Sequence, residues 1–291
     1  MSSPASAIDA PAARGALREL LAASSLEMSP RELPRAAEVA ALLPAGTCVY
    51  IPSLPGLPLA RTLEAIAALR AAGLDPVPHV SARRIVDAAE FQVFLRRAVH
   101  ECGVHRVMLV GGDEDRPKGP YLDSLQVLEE GVLQRCGVRE IGVTGYPEGH
   151  PRIASPLLEH ALSRKVEMTK QQGIGLYVVT QFSFAPARVV EFCADMERRH
   201  PGVPVYVGIA GPTDPAALAR YAQRCGVSAS LRALRTLGTG IAKLVTHTDP
   251  TEHAHAVARF SAGRKASNVV GLHFFSFGGA VRTAGWMRSL L

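Results

Sequence analysis

Glu27 stands between Leu26 and Met28 in the stretch SLEMS. A carboxylate flanked by apolar residues loses water when its segment is buried. Burial penalises the charged form, so this carboxyl is expected to titrate above its ordinary value and to donate a proton near neutral pH. The bland alternative is a buried structural carboxylate, or an acid in the first turn of a helix. A second carboxylate, Asp113 in VGGDEDRP, follows a glycine pair, Gly111-Gly112, that lets backbone approach a ligand closely. It reads equally well as part of an acidic turn. Gln181 puts an amide, donor and acceptor together, into the apolar run VVTQFSF, suited to a heterocycle edge or to a hydrogen-bonded core. His79 in PVPHV is an imidazole within a core run, more often structural than catalytic. TGYPEGHP gathers Tyr146, Glu148 and His150 between two prolines. His247, His253 and His255 read as a solvated helix face. They lack acidic or cysteine partners at metal-ligand spacing.

These residues need elements to hold them. Gly73, Gly103, Gly137 and Gly173 recur at intervals of 30, 34 and 36 residues, each after a helical stretch and before an apolar run. Glycine just past a helix end takes the left-handed conformation that stops the helix. Continuous apolar strands alternating with helices indicate a parallel sheet covered on both faces. Strands are expected at 25–29, 48–53, 76–80, 106–112, 140–146, 176–184, 204–211 and 269–278, with helices near 32–43, 60–72, 84–102, 121–136, 155–171, 186–199, 214–237 (broken at Gly226) and 250–263. Ser155-Pro156, Asp214-Pro215 and Asp249-Pro250-Thr251-Glu252 carry helix-start chemistry. Eight such units predict a single (β/α)8 TIM barrel over 12–291 behind a flexible leader, 1–11. An open doubly wound sheet is the alternative, but no G-x-G-x-x-G follows an early strand. In a barrel, chemistry belongs at the C-terminal strand ends. There the sequence offers Glu27, Ser53, His79, Asp113, the 146–150 cluster, Gln181, Gly211 and Gly278-Gly279.

Composition narrows the function classes. The 291 residues are 47% hydrophobic and 20% charged, without an apolar run long enough to span a membrane. The start lacks the pattern of a secretory signal, so a cytoplasmic enzyme is expected. Five cysteines show no CxxC or metal spacing and read as reduced packing residues. A net charge of +6 suits small polyanions such as nucleotides or glutamylated cofactors. With only 5% aromatic residues and no block of like charges, nucleic acid is not the expected partner.

The chain resembles the methylenetetrahydrofolate reductase family over roughly 24–280. GYPEGHP, followed about thirty residues later by VVTQFSF, matches the family's Tyr-Pro-Glu-x-His-Pro and Thr-Gln-Phe-Phe-Phe in order and spacing. SLEMSP, PHVS, GGD and LHFFSFG are similar to its other strand ends. The resemblance implies reduction of 5,10-methylenetetrahydrofolate to 5-methyltetrahydrofolate. It makes Glu27 the general acid at N10, Asp113 the carboxylate near the pterin and Gln181 a pterin contact. Arg282 would substitute for an Asn-Arg that is Gly278-Gly279 here. His79, Gly112, Tyr146, Glu148, His150 and Lys170 fall on the cofactor side. The family's FAD contacts are eroded: its Val-Thr-Tyr-Gly is replaced by YIPSLPG, and of Asn-Leu-Lys-Arg-Lys only Lys170 survives in 166–170. LEMSP is similar to the start of related short reductases that work without flavin. Direct hydride transfer from NAD(P)H is therefore expected over a bound FAD. Two other enzyme readings stay open, a folate-dependent methyltransferase barrel and a phosphate-binding lyase barrel, as does a barrel that only binds.

Overall fold

The computed structural model describes residues 10–213, 218, 220, 221, 227, 250–262, 264 and 267–290. Eight parallel strands close into a barrel in chain order. They are β1 (Ser25–Glu27), β2 (Cys48–Ile51), β3 (Asp75–Ser81), β4 (Arg106–Val110), β5 (Glu140–Gly145), β6 (Gly175–Thr180), β7 (Val205–Ala210) and β8 (Val269–Phe275). Each lies on one of the apolar runs that the sequence marks. The barrel form, rather than the open sheet, follows from β8 pairing back onto β1.

Helices cover the outside: α1 (Ala10–Ala22), α2 (Ala36–Ala40), α3 (Leu59–Ala71), α4 (Ala88–His100), α5 (Ser124–Glu129), α6 (Val132–Arg135), α7 (Ser155–Gln172), α8 (Pro186–Arg199), α9 (Thr251–Ala262) and α10 (Ala280–Leu290). Gly73, Gly103, Gly137 and Gly173 all have positive φ, the left-handed stop their spacing implies. None of the described helices is long and apolar enough to cross a membrane.

Several expected boundaries shift for local reasons. Ser29 and Glu32 form a capping box that starts a 3-10 helix, Pro30–Arg35, ahead of α2, where one helix over 32–43 was expected. Gly131, with φ of 68°, divides the helix expected over 121–136 into α5 and α6. Asp87 accepts a hydrogen bond from the Glu90 amide and sets the start of α4 at residue 88, not 84. Ser155 is the first residue of α7 rather than its cap, which is Ala154. Helices α1 and α10 were not expected. The leader reading extended to residue 11, whereas α1 begins at Ala10 and packs on α9 and β8. Of the helix expected over 214–237 only 218, 220, 221 and 227 are described, and its start at Asp214-Pro215, with Cys225, His247 and Asp249, lies outside the described residues.

The barrel interior is filled, not hollow. Tyr50, Val77, Met108, Tyr177 and Val179 form a buried inner cluster. Tyr50 Oη donates to Tyr177 Oη across the barrel at 2.9 Å. That span needs room, and glycine supplies it. A Cβ on Gly142 would lie 2.7 Å from the Tyr177 ring and 2.8 Å from Met108 Sδ. Gly142→Ala is therefore expected to lower stability by about 1–3 kcal/mol through overpacking. Urea denaturation measures it, and an unchanged midpoint would show that the tyrosine column yields freely.

Candidate active site

Strand register gathers three side chains in the barrel mouth. Glu27 is the last residue of β1 and pairs with Tyr50 of β2. His79 projects from β3 and His273 from β8. His79 Nε2 is 3.7 Å from Glu27 Oε1, and His273 Nε2 is 3.8 Å from the same oxygen. The Tyr50 ring meets both imidazoles edge-on, with centroids 4.5 Å from His273 and 6.1 Å from His79. The His273 side chain is 1% exposed, that of His79 14% and that of Glu27 18%. Below them, Ser25 Oγ lies 2.9 Å from His273 Nδ1. Among the described residues no group of His, Cys, Asp and Glu is arranged to hold a metal ion.

The electrostatics correct one sequence expectation. Burial does push the Glu27 carboxyl upward, as its apolar neighbours suggest. The close approach of His273 and the positive potential of His79 and His273 outweigh that push, and the net direction is down. His79 is pushed down to about 4, chiefly by burial and further by His273 and Arg84, against the pull of Glu27. Near neutral pH the site thus holds an ionised Glu27 beside an uncharged His79. Such a carboxylate can stabilise a cation or accept a proton. It donates one only after its surroundings change.

The other predicted residues divide by position. Asp113 is 92% exposed and 3.9 Å from Arg84. Its neighbour Glu114 is the one that turns inward, with Oε1 2.5 Å from Arg84 Nε and Oε2 buried without a partner among the described residues. Arg84 also donates to the Ser53 carbonyl, tying the loops after β2, β3 and β4 together. Gly112 has φ of 100°, and a Cβ there would lie 3.3 Å from Glu114 Oε2. Tyr146 and His150 pack edge-on at 5.1 Å in the loop after β5, with Glu148 between them in sequence. His150 accepts from the Arg152 amide at 3.1 Å, and burial and Arg152 press its titration down. Gln181 sits just past β6, its backbone amide bonded to the Gly145 carbonyl and its side-chain oxygen to the Phe182 amide. Arg282 is exposed in the first turn of α10, on the mouth side.

Lys170 does not join this group. It is exposed in the last turn of α7, which runs away from the mouth to the start of β6. It therefore lies toward the N-terminal rim, and the residues assigned to FAD do not converge on one site. The sequence reading also passed over His273, Ser25, Tyr50, Arg84 and Glu114. His273 carried the same signal as His79, a lone imidazole in an apolar strand, within LHFFSF. An aromatic wall of Phe182, Phe184, Phe275 and Phe277 over β6 to β8 was likewise unassigned.

No family model matches the sequence. Among solved structures, the fold is similar to that of an uncharacterized protein from Clostridium thermocellum that binds two copies of 5-methyl-5,6,7,8-tetrahydrofolic acid. Identity is 11%, 94% of this chain and 99% of that chain are covered, and the TM-score is 0.62. Dihydropteroate synthase from Thermus thermophilus superposes more loosely, at 16% identity over 92% of this chain and 94% of its own, with a TM-score of 0.46. At 11% identity, the likeness to the Clostridium thermocellum protein establishes the barrel fold.

Glu27 and His79 both bind a proton less readily in the folded chain than in the unfolded one. Their contribution to stability is complete above about pH 6.5, the free imidazole value. It shrinks as pH falls, first through His79 toward about 4 and then through Glu27 below 4.5. Urea midpoints measured from neutral pH down to pH 4.5 should fall over that window, and fall less steeply in His79→Gln. Identical slopes in the two proteins would remove His79 as the cause.

Proposed function

We propose that this barrel reduces 5,10-methylenetetrahydrofolate to 5-methyltetrahydrofolate with hydride from NAD(P)H. The observation that carries the reading is Glu27, held at the mouth of the barrel between His79 and His273. Family motifs around strands five and six support it. So does the Clostridium thermocellum neighbour, whose bound ligand would be the product of this reaction.

Glu27 protonates N10 of the folate. The bond from N10 to the bridging carbon breaks, leaving an iminium at N5, and hydride from the nicotinamide converts that carbon to a methyl group. The pterin, seated over the cluster, strips the remaining water from Glu27 and pushes its titration back up, so that the proton is available. Once it is given, the carboxylate faces the iminium and stabilises its charge. Gln181 offers its amide to the pterin edge, and Arg282 binds the substrate from the rim. Asp113 would have to swing in from solvent to assist, whereas Glu114 already faces inward. Tyr146, Glu148, His150 and Gly112 border the nicotinamide nucleotide. The position of Lys170 on α7 supports direct hydride transfer over a route through FAD.

A folate-dependent methyltransferase is the second reading, favoured by the same neighbour because 5-methyltetrahydrofolate is a methyl donor. Oxidation of NAD(P)H that depends on added methylenetetrahydrofolate separates the two. Reduction should proceed in protein whose visible spectrum shows no flavin, and kcat/KM should fall as pH rises, because the acid form of Glu27 is required. Glu27→Gln should retain folate binding and lose turnover by about 10²- to 10⁴-fold. Near-normal turnover in that variant sinks the acid assignment, and turnover only with bound flavin sinks direct transfer.

A further inference from the structure

Ser25 lies two residues before Glu27 on the inward face of β1 and is 2% exposed. The register of β1 against β8 makes it the direct partner of His273. Its Oγ is 2.9 Å from His273 Nδ1, while the other ring nitrogen, Nε2, faces Glu27 Oε1 at 3.8 Å. A neutral imidazole has one N–H and one lone pair. With the hydrogen on Nδ1, the Nε2 lone pair would point at a carboxylate oxygen in a poorly solvated interior, which is repulsive. With Nδ1 accepting from the serine hydroxyl, Nε2–H points at the carboxylate and both contacts are attractive. His79 differs: its Nε2 approaches the same oxygen at 3.7 Å but has no hydrogen-bond partner among the described residues.

We propose that Ser25 is a positioning residue: by donating to His273 Nδ1 it reinforces the tautomer with hydrogen on Nε2 that the carboxylate favours, and it holds that hydrogen aimed at Glu27. Among the described residues, the charged and titratable groups around His273 are Glu27 from β1, Tyr50 from β2 and, beyond the carboxylate, His79 from β3. On its remaining sides Phe275 packs edge-on at 4.8 Å, and β7 presents Gly208. Neither can fix a tautomer; the acceptor-only carboxylate favours hydrogen on Nε2, and the serine, donating to Nδ1, completes that arrangement. When Glu27 gives up its proton, Nε2–H meets the new charge without the ring having to turn. The kinetic consequence rests on the reading of Glu27 as the acid, but the tautomer does not.

The test uses the full chain labelled with ¹⁵N. Imidazole nitrogen shifts should place the tautomeric hydrogen of His273 in the natural chain on Nε2. Ser25→Ala should weaken that preference, raising the share of hydrogen on Nδ1, and Ser25→Thr should keep it. In the reductase assay Ser25→Ala should lower kcat by on the order of ten- to a hundredfold with little change in KM. It should also move the pH at which kcat falls, and Ser25→Thr should restore both. Hydrogen on Nδ1 in the natural chain overturns the proposal, as does an unchanged tautomer and pH profile in Ser25→Ala. If the tautomer follows the serine but no methylenetetrahydrofolate is reduced, the reaction is wrong and the positioning role stands.

Discussion

A carboxylate taken out of water must find charge or hydrogen bonds, because an isolated buried anion is very costly. Glu27 finds two imidazoles, and the mouth of the barrel is organised around that requirement. His79 and His273 come from strands on either side of β1, so their meeting depends on the β1–β8 closure that makes the sheet a barrel. Tyr50 packs against both rings and limits their rotation. Ser25 holds the deeper ring from below. Removing any one of these leaves a buried polar group short of a partner.

The tyrosine column beneath the cluster gives it a rigid floor. Tyr50 reaches Tyr177 only because β5 offers Gly142 opposite. Small Gly142 fits against large Tyr177 and Met108, the way a narrow barrel fills its taper. The ring that contacts both histidines is thus anchored from the opposite wall, and motion in the outer helices reaches the carboxylate only through packed side chains.

Above the cluster, a charged network takes over from apolar packing. Arg84 joins Glu114 and the Ser53 carbonyl, while Arg83 reaches the carbonyls of Asp115 and Leu122. Three loops that the sequence leaves independent are tied into one wall. Arg84 also adds positive potential at His79, which helps keep that imidazole uncharged. The wall and the cluster are therefore electrostatically coupled, though they belong to different layers of the barrel.

The sequence by itself determined the barrel. Eight apolar runs and four left-handed glycines are local signals, since strand and helix-stop preferences depend on neighbours a few residues away. It also marked Glu27, His79 and the loop at 144–151 as belonging to the mouth. It missed α1 and α10, whose segments carry no strong start or stop signal, and the break at Gly131. Tertiary structure alone decided which carboxylate of GGDEDRP turns inward, because the direction of a loop side chain has no period to read. It decided that Lys170 faces away, because helix direction follows from chain reversal between β5 and β6. It decided the charge of Glu27 as well. Sequence neighbours supply only the burial that pushes its titration up. The imidazoles that pull it down stand 52 and 246 residues away along the chain and meet it only when the barrel closes.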